Sequence, residues 1–191
     1  MVAAIDHVDI ATTRNNIGTV LFFEERYAEA AEEFTAAADI FLASNPEHPQ
    51  AVVCHVNVAM ALEYQKRFDE AETMYRASLV EAEGILQPEH PTFSLALFNL
   101  GAMLSDLGRG EEALPLVERA WLARKQPGVA PEARAVAAYL LAETLWKHRP
   151  EQRTRARRLG EEARDAFEKA GPAHRLHRET VHAWLAETAQ E

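Results

Sequence analysis

Small and large apolar residues recur along the chain at helical spacing and divide it into repeated pairs of amphipathic segments. A small residue in the first segment of each pair is followed twelve positions later by an alanine in the second. Antiparallel helices approach closely only where side chains are small, so each such pair predicts a helix crossing. The three pairs are Gly18 and Ala30, Ala59 and Ala71, and Gly101 and Ala113.

Short motifs repeat with the same period of 41 or 42 residues, which indicates a repeat protein. The tripeptide Asn16-Ile17-Gly18 recurs as NVA at residues 57–59 and as NLG at 99–101, and the sequence PEHP at 46–49 returns at 88–91. A third motif, RYAEA at 26–30, returns in altered form at 67–71 and 109–113. A fourth unit is degenerate, with Ala142 lying 41 residues after Gly101 and a longer turn behind it.

Prolines set the predicted helix starts. Proline fits the first turn of a helix, so Pro49 and Pro91 begin helices and keep His48 and His90 out of the helical region. Together with the repeats, this predicts nine helices, over residues 6–24, 27–43, 49–65, 68–86, 91–107, 111–125, 131–147, 152–170 and 173–189.

The last predicted helix is amphipathic and is expected to cap the end of the stack. Its apolar side is predicted to carry Leu176, Val181, Trp184 and Leu185. We therefore expect residues 1–191 to form a single domain. Its predicted parts are four repeats at about 6–45, 46–87, 88–128 and 131–171 and a cap helix at 173–189.

These motifs resemble the tetratricopeptide repeat (TPR), and the long period with its PEHP junction is similar to the kinesin-light-chain subtype. Residues 6–125 carry the resemblance well and the fourth repeat carries it weakly. A fainter similarity links residues 155–163 and 181–185 to repeat ends in some bacterial signalling proteins, and we expect a bacterial source. The resemblance implies an all-α fold, a right-handed α-solenoid of about four helix pairs plus a C-terminal capping helix. The first helices would line a concave groove that holds an extended peptide.

In this family the residue two positions before the small residue faces the groove, and here it is asparagine in three repeats. An amide offers donors and an acceptor to a peptide backbone. Its recurrence at a helix position with poor propensity for asparagine favours binding over a local structural role. Aromatic and apolar residues at other inward positions would supply selectivity. The predicted peptide-binding residues are Asn16, Asn57, Asn99, Phe22, Met60, Tyr64, Phe98, Tyr139 and Trp146.

Composition excludes several classes of protein. A chain with 48% hydrophobic and 26% charged residues is typical of a globular domain. Its longest uncharged stretches, such as Pro91 to Ser105, are shorter than the roughly 20 residues that a membrane span needs. The N-terminus lacks the pattern of a signal peptide, and the single cysteine, Cys54, excludes an internal disulfide. We therefore expect a cytoplasmic protein without membrane insertion.

The net charge of −10 lies entirely within residues 1–149, because residues 150–191 carry eight basic and eight acidic side chains. This sign argues against nucleic acid as a partner. One basic cluster stands out and would be either a phosphate or acidic-partner patch or, more simply, a solvated helix start. It comprises Lys147, Arg149, Arg153, Arg155, Arg157 and Arg158.

The sequence carries none of the common phosphate, metal or nucleophile motifs. Cys54 and His55 are consecutive on a helix and diverge by about 100°, so they form no dyad, and Cys54 is expected to pack in the core. His174 and His177 alone are weak evidence for a metal. We predict no catalytic residue, no metal and no cofactor, and hence no enzyme.

Two functions remain open. The leading hypothesis is a protein–protein interaction module or adaptor that binds a partner segment in its concave groove. The alternative is a regulatory receptor for a small signalling peptide or metabolite. An adaptor would change shape little on binding, whereas a receptor would compact around its ligand.

Overall fold

A computed structural model describes residues 7–86 and 90–189, and its regular structure there is entirely helical. The helices are α1 (His7–Phe23), α2 (Tyr27–Ser44), α3 (Pro49–Tyr64), α4 (Phe68–Ile85), α5 (Pro91–Asp106), α6 (Gly110–Arg124), α7 (Pro131–His148), α8 (Arg153–Ala170) and α9 (Arg175–Thr188). Their ends agree with the predicted ends to within two residues. Asp6, the predicted start of the first helix, and Pro88 and Glu89 of the second PEHP motif lie outside the described residues.

The chain divides within α5 into two compact units, Met1–Asn99 and Leu100–Glu191. In the first unit, α1 packs on α2, α2 on α3 and α3 on α4. In the second unit, α6 packs on α7, α7 on α8 and α8 on α9. Each unit is thus built from antiparallel neighbours that bury one apolar face against the next helix.

The predicted helix crossings are present. A Cβ atom placed on Gly18 would lie 2.7 Å from the ring of Phe34, and one on Gly101 would lie 2.5 Å from Val117. Ala30 and Ala113, the small residues of the partner helices, are fully buried. The larger apolar residue four positions after each alanine therefore fills the space that a side chain on the first helix would need.

The first three helix pairs share one turn. Its second residue has a left-handed backbone, with φ of 62° at Glu25, 64° at Lys66 and 79° at Gly108. The next N–H donates to the carbonyl five residues earlier, over 2.8–3.0 Å, as in a Schellman motif. These donor and acceptor pairs are Arg26 and Leu21, Arg67 and Leu62, and Arg109 and Leu104.

The recurring arginine of the RYAEA motif closes this turn. The Arg26 guanidinium donates to both carboxylate oxygens of Glu29, over 2.8 and 2.7 Å. The same paired bonds recur between Arg67 and Glu70 and between Arg109 and Glu112. No side chain caps the start of these second helices, so the arginine and glutamate fix the chain where it enters them.

The histidine of each PEHP motif caps the following helix. His48 Nδ1 accepts the N–H of Gln50 at 3.2 Å, immediately before Pro49 begins α3. His90 Nδ1 accepts the N–H of Thr92 at 3.2 Å at the start of α5. The imidazole takes the place of the serine or aspartate oxygen that usually satisfies an orphan N–H there.

Helix α9 covers α8 much as predicted. Val181 and Leu185 are buried. The Trp184 ring packs against Gly160 of α8, so closely that a Cβ atom on Gly160 would lie 2.5 Å from it. The prediction for Leu176 was wrong, since this side chain is 75% exposed. Leu176 lies five residues before Val181, about 140° around the helix, and so points away from α8.

Two glycine-to-alanine substitutions should change stability in opposite directions. Gly108→Ala places a side chain on a left-handed residue and should lower the free energy of unfolding by about 1 kcal/mol. Gly84→Ala, in α4 with open space around it, should raise it by about 0.5 kcal/mol. Urea unfolding followed by circular dichroism measures both, and changes of the same sign would contradict the assigned turn.

Candidate partner-binding site

Three aromatic rings meet in the first unit where α1 and α3 end and α2 begins. The ring centroids of Phe22 and Tyr64 lie 4.9 Å apart, and Tyr27 lies 5.2 Å from each of them. Tyr64 is 51% exposed, and the neighbouring Phe23 is 81% exposed. Two predicted site residues are thus brought together, and Tyr27, the aromatic residue of the RYAEA motif, joins them.

The predicted asparagine row is partly engaged within the first unit. Asn57 Nδ2 donates to Asn15 Oδ1 at 3.1 Å, which links α3 to α1. Asn16 points elsewhere: it is exposed and lines a shallow depression on α1 with Ile17 and Val20. Asn15 lies 42 residues before Asn57, whereas Asn16 lies 41 residues before it. The contact therefore follows the longer of the two observed periods.

Cys54 supports this amide pair from the core. It is buried, and desolvation raises the pKa of its thiol to about 12. The Sγ atom lies 3.6 Å from Asn15 Oδ1 and donates to it weakly. The predicted packing role of Cys54 is confirmed, because a protonated, buried thiol is a poor nucleophile.

Asn99 faces a buried hydroxyl. Its Nδ2 atom is shielded from solvent, and its side chain lies beside the hydroxyl of Tyr75. That hydroxyl donates to Glu63 at 2.9 Å. Burial and the Glu63 carboxylate raise the pKa of Tyr75, which keeps it a neutral donor. Tyr75 lies four residues after Ala71, at the position where the neighbouring repeats carry the apolar residues Phe34 and Val117, and nothing in that spacing identified its hydroxyl as a polar contact.

The other predicted residues of the first unit are partly accessible. Met60 lies on α3 and Phe98 on α5, and both side chains are partly buried. An apolar side chain that remains partly accessible can bury further area against a partner.

In the second unit the predicted residues Tyr139 and Trp146 contact the cap helix. The ring of Trp184 on α9 lies 5.8 Å from each of them, edge to face. The Arg153 guanidinium lies over the Trp146 ring at 4.6 Å. The sequence assigned Trp184 to the cap alone, because its distance in sequence from α7 hides the contact.

Between these rings stands Glu143. Burial raises the pKa of its carboxyl group, and nearby Asp106 raises it further, whereas Tyr139 and Lys147 oppose the shift. Lys147 is directed elsewhere: its Nζ donates to the Ser105 carbonyl at 2.8 Å and lies 3.8 Å from Asp106.

The basic cluster is largely engaged within the second unit. Arg149 pairs with Glu111, with one contact of 2.6 Å, and Arg155 pairs with Glu118 at 2.8 Å. Among the described residues, Arg157 and Arg158 form no ion pair. These contacts fit the simpler of the two interpretations, a helix start whose arginines lie along the protein surface.

In the described part of the chain, no group of three or more histidine, cysteine or acidic side chains is arranged to hold a metal ion. His174 and His177 instead stack against Phe167, at 6.0 and 5.1 Å. Within the same residues, no helix combines the length and hydrophobicity that a membrane span requires.

Tetratricopeptide repeat models match residues 9–79 and 96–126. No curated protein sequence matches the chain.

Solved structures resemble the chain over most of its length. A kinesin light chain-type protein of Podosopora anserina with nearly identical TPR-like repeats is 18% identical (TM-score 0.73; 98% of this chain and 88% of that one). BtubC from P. vanneervenii is 18% identical, with a TM-score of 0.75, and the match covers 88% of this chain and 67% of that one. The Rap conjugation gene regulator of plasmid pLS20, in complex with the Phr* peptide, is 20% identical, with a TM-score of 0.79, and the match covers 97% of this chain and 50% of that one. These similarities confirm the predicted all-α repeat fold.

Tyr75→Phe should lower the free energy of unfolding by about 1 kcal/mol, because it removes the donor to Glu63 inside the first unit. Tyr64→Phe is the matched control, since Tyr64 is half exposed and should change stability by less than about 0.5 kcal/mol. Urea titrations measure both variants. Equal effects would mean that the Tyr75 hydroxyl contributes nothing specific.

Proposed function

Because the chain belongs to the tetratricopeptide repeat family, we propose that it is a non-catalytic interaction module that binds a segment of a partner protein along its first helices. The observation that carries the proposal is the aromatic cluster of Phe22, Tyr27 and Tyr64, flanked by the exposed ring of Phe23. Large apolar side chains grouped at a surface mark interaction sites. Rigid aromatic residues also give much contact area at little cost in conformational entropy.

The asparagines are proposed to hold the backbone of the partner segment. Asn16 is exposed, whereas Asn57 donates one N–H to Asn15 and has a second N–H and its oxygen left for a partner. Asn99 offers its amide only if the side chain turns away from Tyr75. Met60, Phe98, Tyr139 and Trp146 are proposed to contact partner side chains.

Apolar burial is expected to dominate the affinity, so binding should depend only mildly on salt. The negative charge of residues 1–149 would mainly speed encounter with a basic partner. The cytoplasm remains the predicted location, and no cofactor is proposed.

A receptor for a small signalling peptide is the second candidate. The similarity to the Rap regulator, whose structure includes the Phr* peptide, supports it. A receptor would compact on its ligand and an adaptor would not, so small-angle X-ray scattering with and without a bound peptide distinguishes the two.

A phage-displayed library of random dodecapeptides, selected on the purified chain, supplies a test ligand. Phe22→Ala and Tyr64→Ala should each weaken binding of a selected peptide tenfold or more, because each removes an aromatic contact of about 1.5–3 kcal/mol. Asn16→Ala should weaken it a few-fold with no change in melting temperature. Asn57→Ala should also lower stability, because it breaks the bond to Asn15.

Val80→Ala is the control for this experiment, since Val80 is 71% exposed on α4, a second helix of its pair. Fluorescence anisotropy measures each dissociation constant. Selection that enriches no peptide, or peptides whose binding is weakened by Val80→Ala and not by Phe22→Ala, would exclude the proposed surface.

A further inference from the structure

Helix α7 presents an acidic side chain between aromatic residues. Tyr139, Glu143 and Trp146 are spaced at i, i+4 and i+7, which places them on one helix face. Trp184 of α9 contacts both rings, with centroids 5.8 Å from each. Glu143 therefore lies on a face bordered by three rings and is itself partly buried.

This carboxylate forms no ion pair among the described residues; it is hydrogen-bonded to the Tyr139 hydroxyl and is attracted only at longer range by Lys147. Lys147, the nearest basic side chain in sequence, is bound to the Ser105 carbonyl and to Asp106. Arg153 is stacked over Trp146 instead. The remaining charged groups nearby, Asp106 close to Glu143 and Glu187 close to Tyr139, are negative.

A partly buried carboxylate without a direct ion pair is unfavourable for the free protein. Its pKa is raised because burial and Asp106 disfavour the charged form by more than the Tyr139 hydrogen bond and Lys147 favour it. Such a group is typical of a binding site, where the missing charge comes from a ligand. The aromatic rings add to the attraction, since their faces carry partial negative charge and hold ammonium or guanidinium groups within about 6 Å.

The geometry points to a site for one cationic side chain, lysine or arginine, of the partner segment, with Glu143 as the counter-ion and Tyr139, Trp146 and Trp184 as the aromatic border. The inference rests on the proposed function for the source of that side chain. The site adds a chemical requirement for the partner, which must carry a basic residue that contacts α7. The aromatic cluster of the first unit imposes no such requirement.

The indole N–H resonances of the three tryptophans provide the test in the full chain. The probe is the capped pentapeptide Gly-Gly-Arg-Gly-Gly, and its neutral twin carries citrulline in place of arginine. The arginine peptide should shift the Trp146 and Trp184 resonances with a millimolar dissociation constant. Trp121, on α6, is the internal reference, because it contributes no ring to the proposed site. The citrulline peptide should shift none of them.

Glu143→Gln should weaken binding of the arginine peptide at least tenfold, whereas Glu132→Gln, two turns before Tyr139 on the same helix, should leave it unchanged. Glu143→Gln should also raise the melting temperature of the free protein at pH 7. When a carboxyl group has a raised pKa in the folded protein, the protein loses stability as pH rises from about 4.5, the ordinary pKa of glutamate, through the folded pKa. That gain should therefore shrink as pH falls toward 4.5.

Three results would exclude the site: equal indole shifts with the arginine and citrulline peptides, no indole shift with the arginine peptide, or unchanged affinity of the Glu143→Gln variant for the arginine peptide. Such a result would leave the proposed function standing if selected dodecapeptides still required Phe22 and Tyr64. Conversely, binding of the arginine peptide without any selected dodecapeptide would support this site and count against the wider surface.

Discussion

Close contact between paired helices at one small residue is the constraint on which each described unit depends. Where Gly18 or Gly101 lacks a side chain, Phe34 or Val117 of the partner helix occupies the space against its backbone. Close-packed interiors leave no room for both groups. The contact therefore fixes the rotation of the first helix as well as its distance, and rotation decides which residues of that helix remain outside the core.

The candidate binding residues follow from this rotation. With Gly18 against α2, Phe22 lies one turn further along α1 and reaches Tyr27 and Tyr64. In the fourth repeat the buried residue is Ala142, and the same step of four residues leads to Trp146, which meets Trp184. A position set by packing thus carries an aromatic ring in two repeats, with a different neighbour in each.

Sequence reasoning recovered the helices because their causes are local. Proline at the first helical position, the RYAEA motif and the twelve-residue spacing act within one helix pair and are visible in the sequence. Contacts between pairs were harder to predict. Asn57 finds Asn15 and not Asn16 because side-chain direction, more than motif alignment, decides which amides meet. The Trp184 ring was missed because its aromatic partners lie on α7, at a distance in sequence that no local period encodes. The Tyr75 hydroxyl was missed for another reason: Glu63 precedes Tyr75 by the same twelve residues, but the spacing shows which helices cross and not which side chains form hydrogen bonds.

The ion pairs of the chain differ in whether they lie within one helix pair or join two, and this difference affects how cooperatively neighbouring pairs unfold. The bonds of Arg26, Arg67 and Arg109 close a single turn, so they strengthen a helix pair without coupling it to the next. Arg149 and Arg155 extend back to α6 from beyond the end of α7, and so join successive pairs. Stability in repeat folds is a sum of terms within repeats and terms between neighbours. Because salt screens exposed charges, raising ionic strength should weaken the part of this coupling that the ion pairs supply and leave the apolar contacts between α6 and α7 in place.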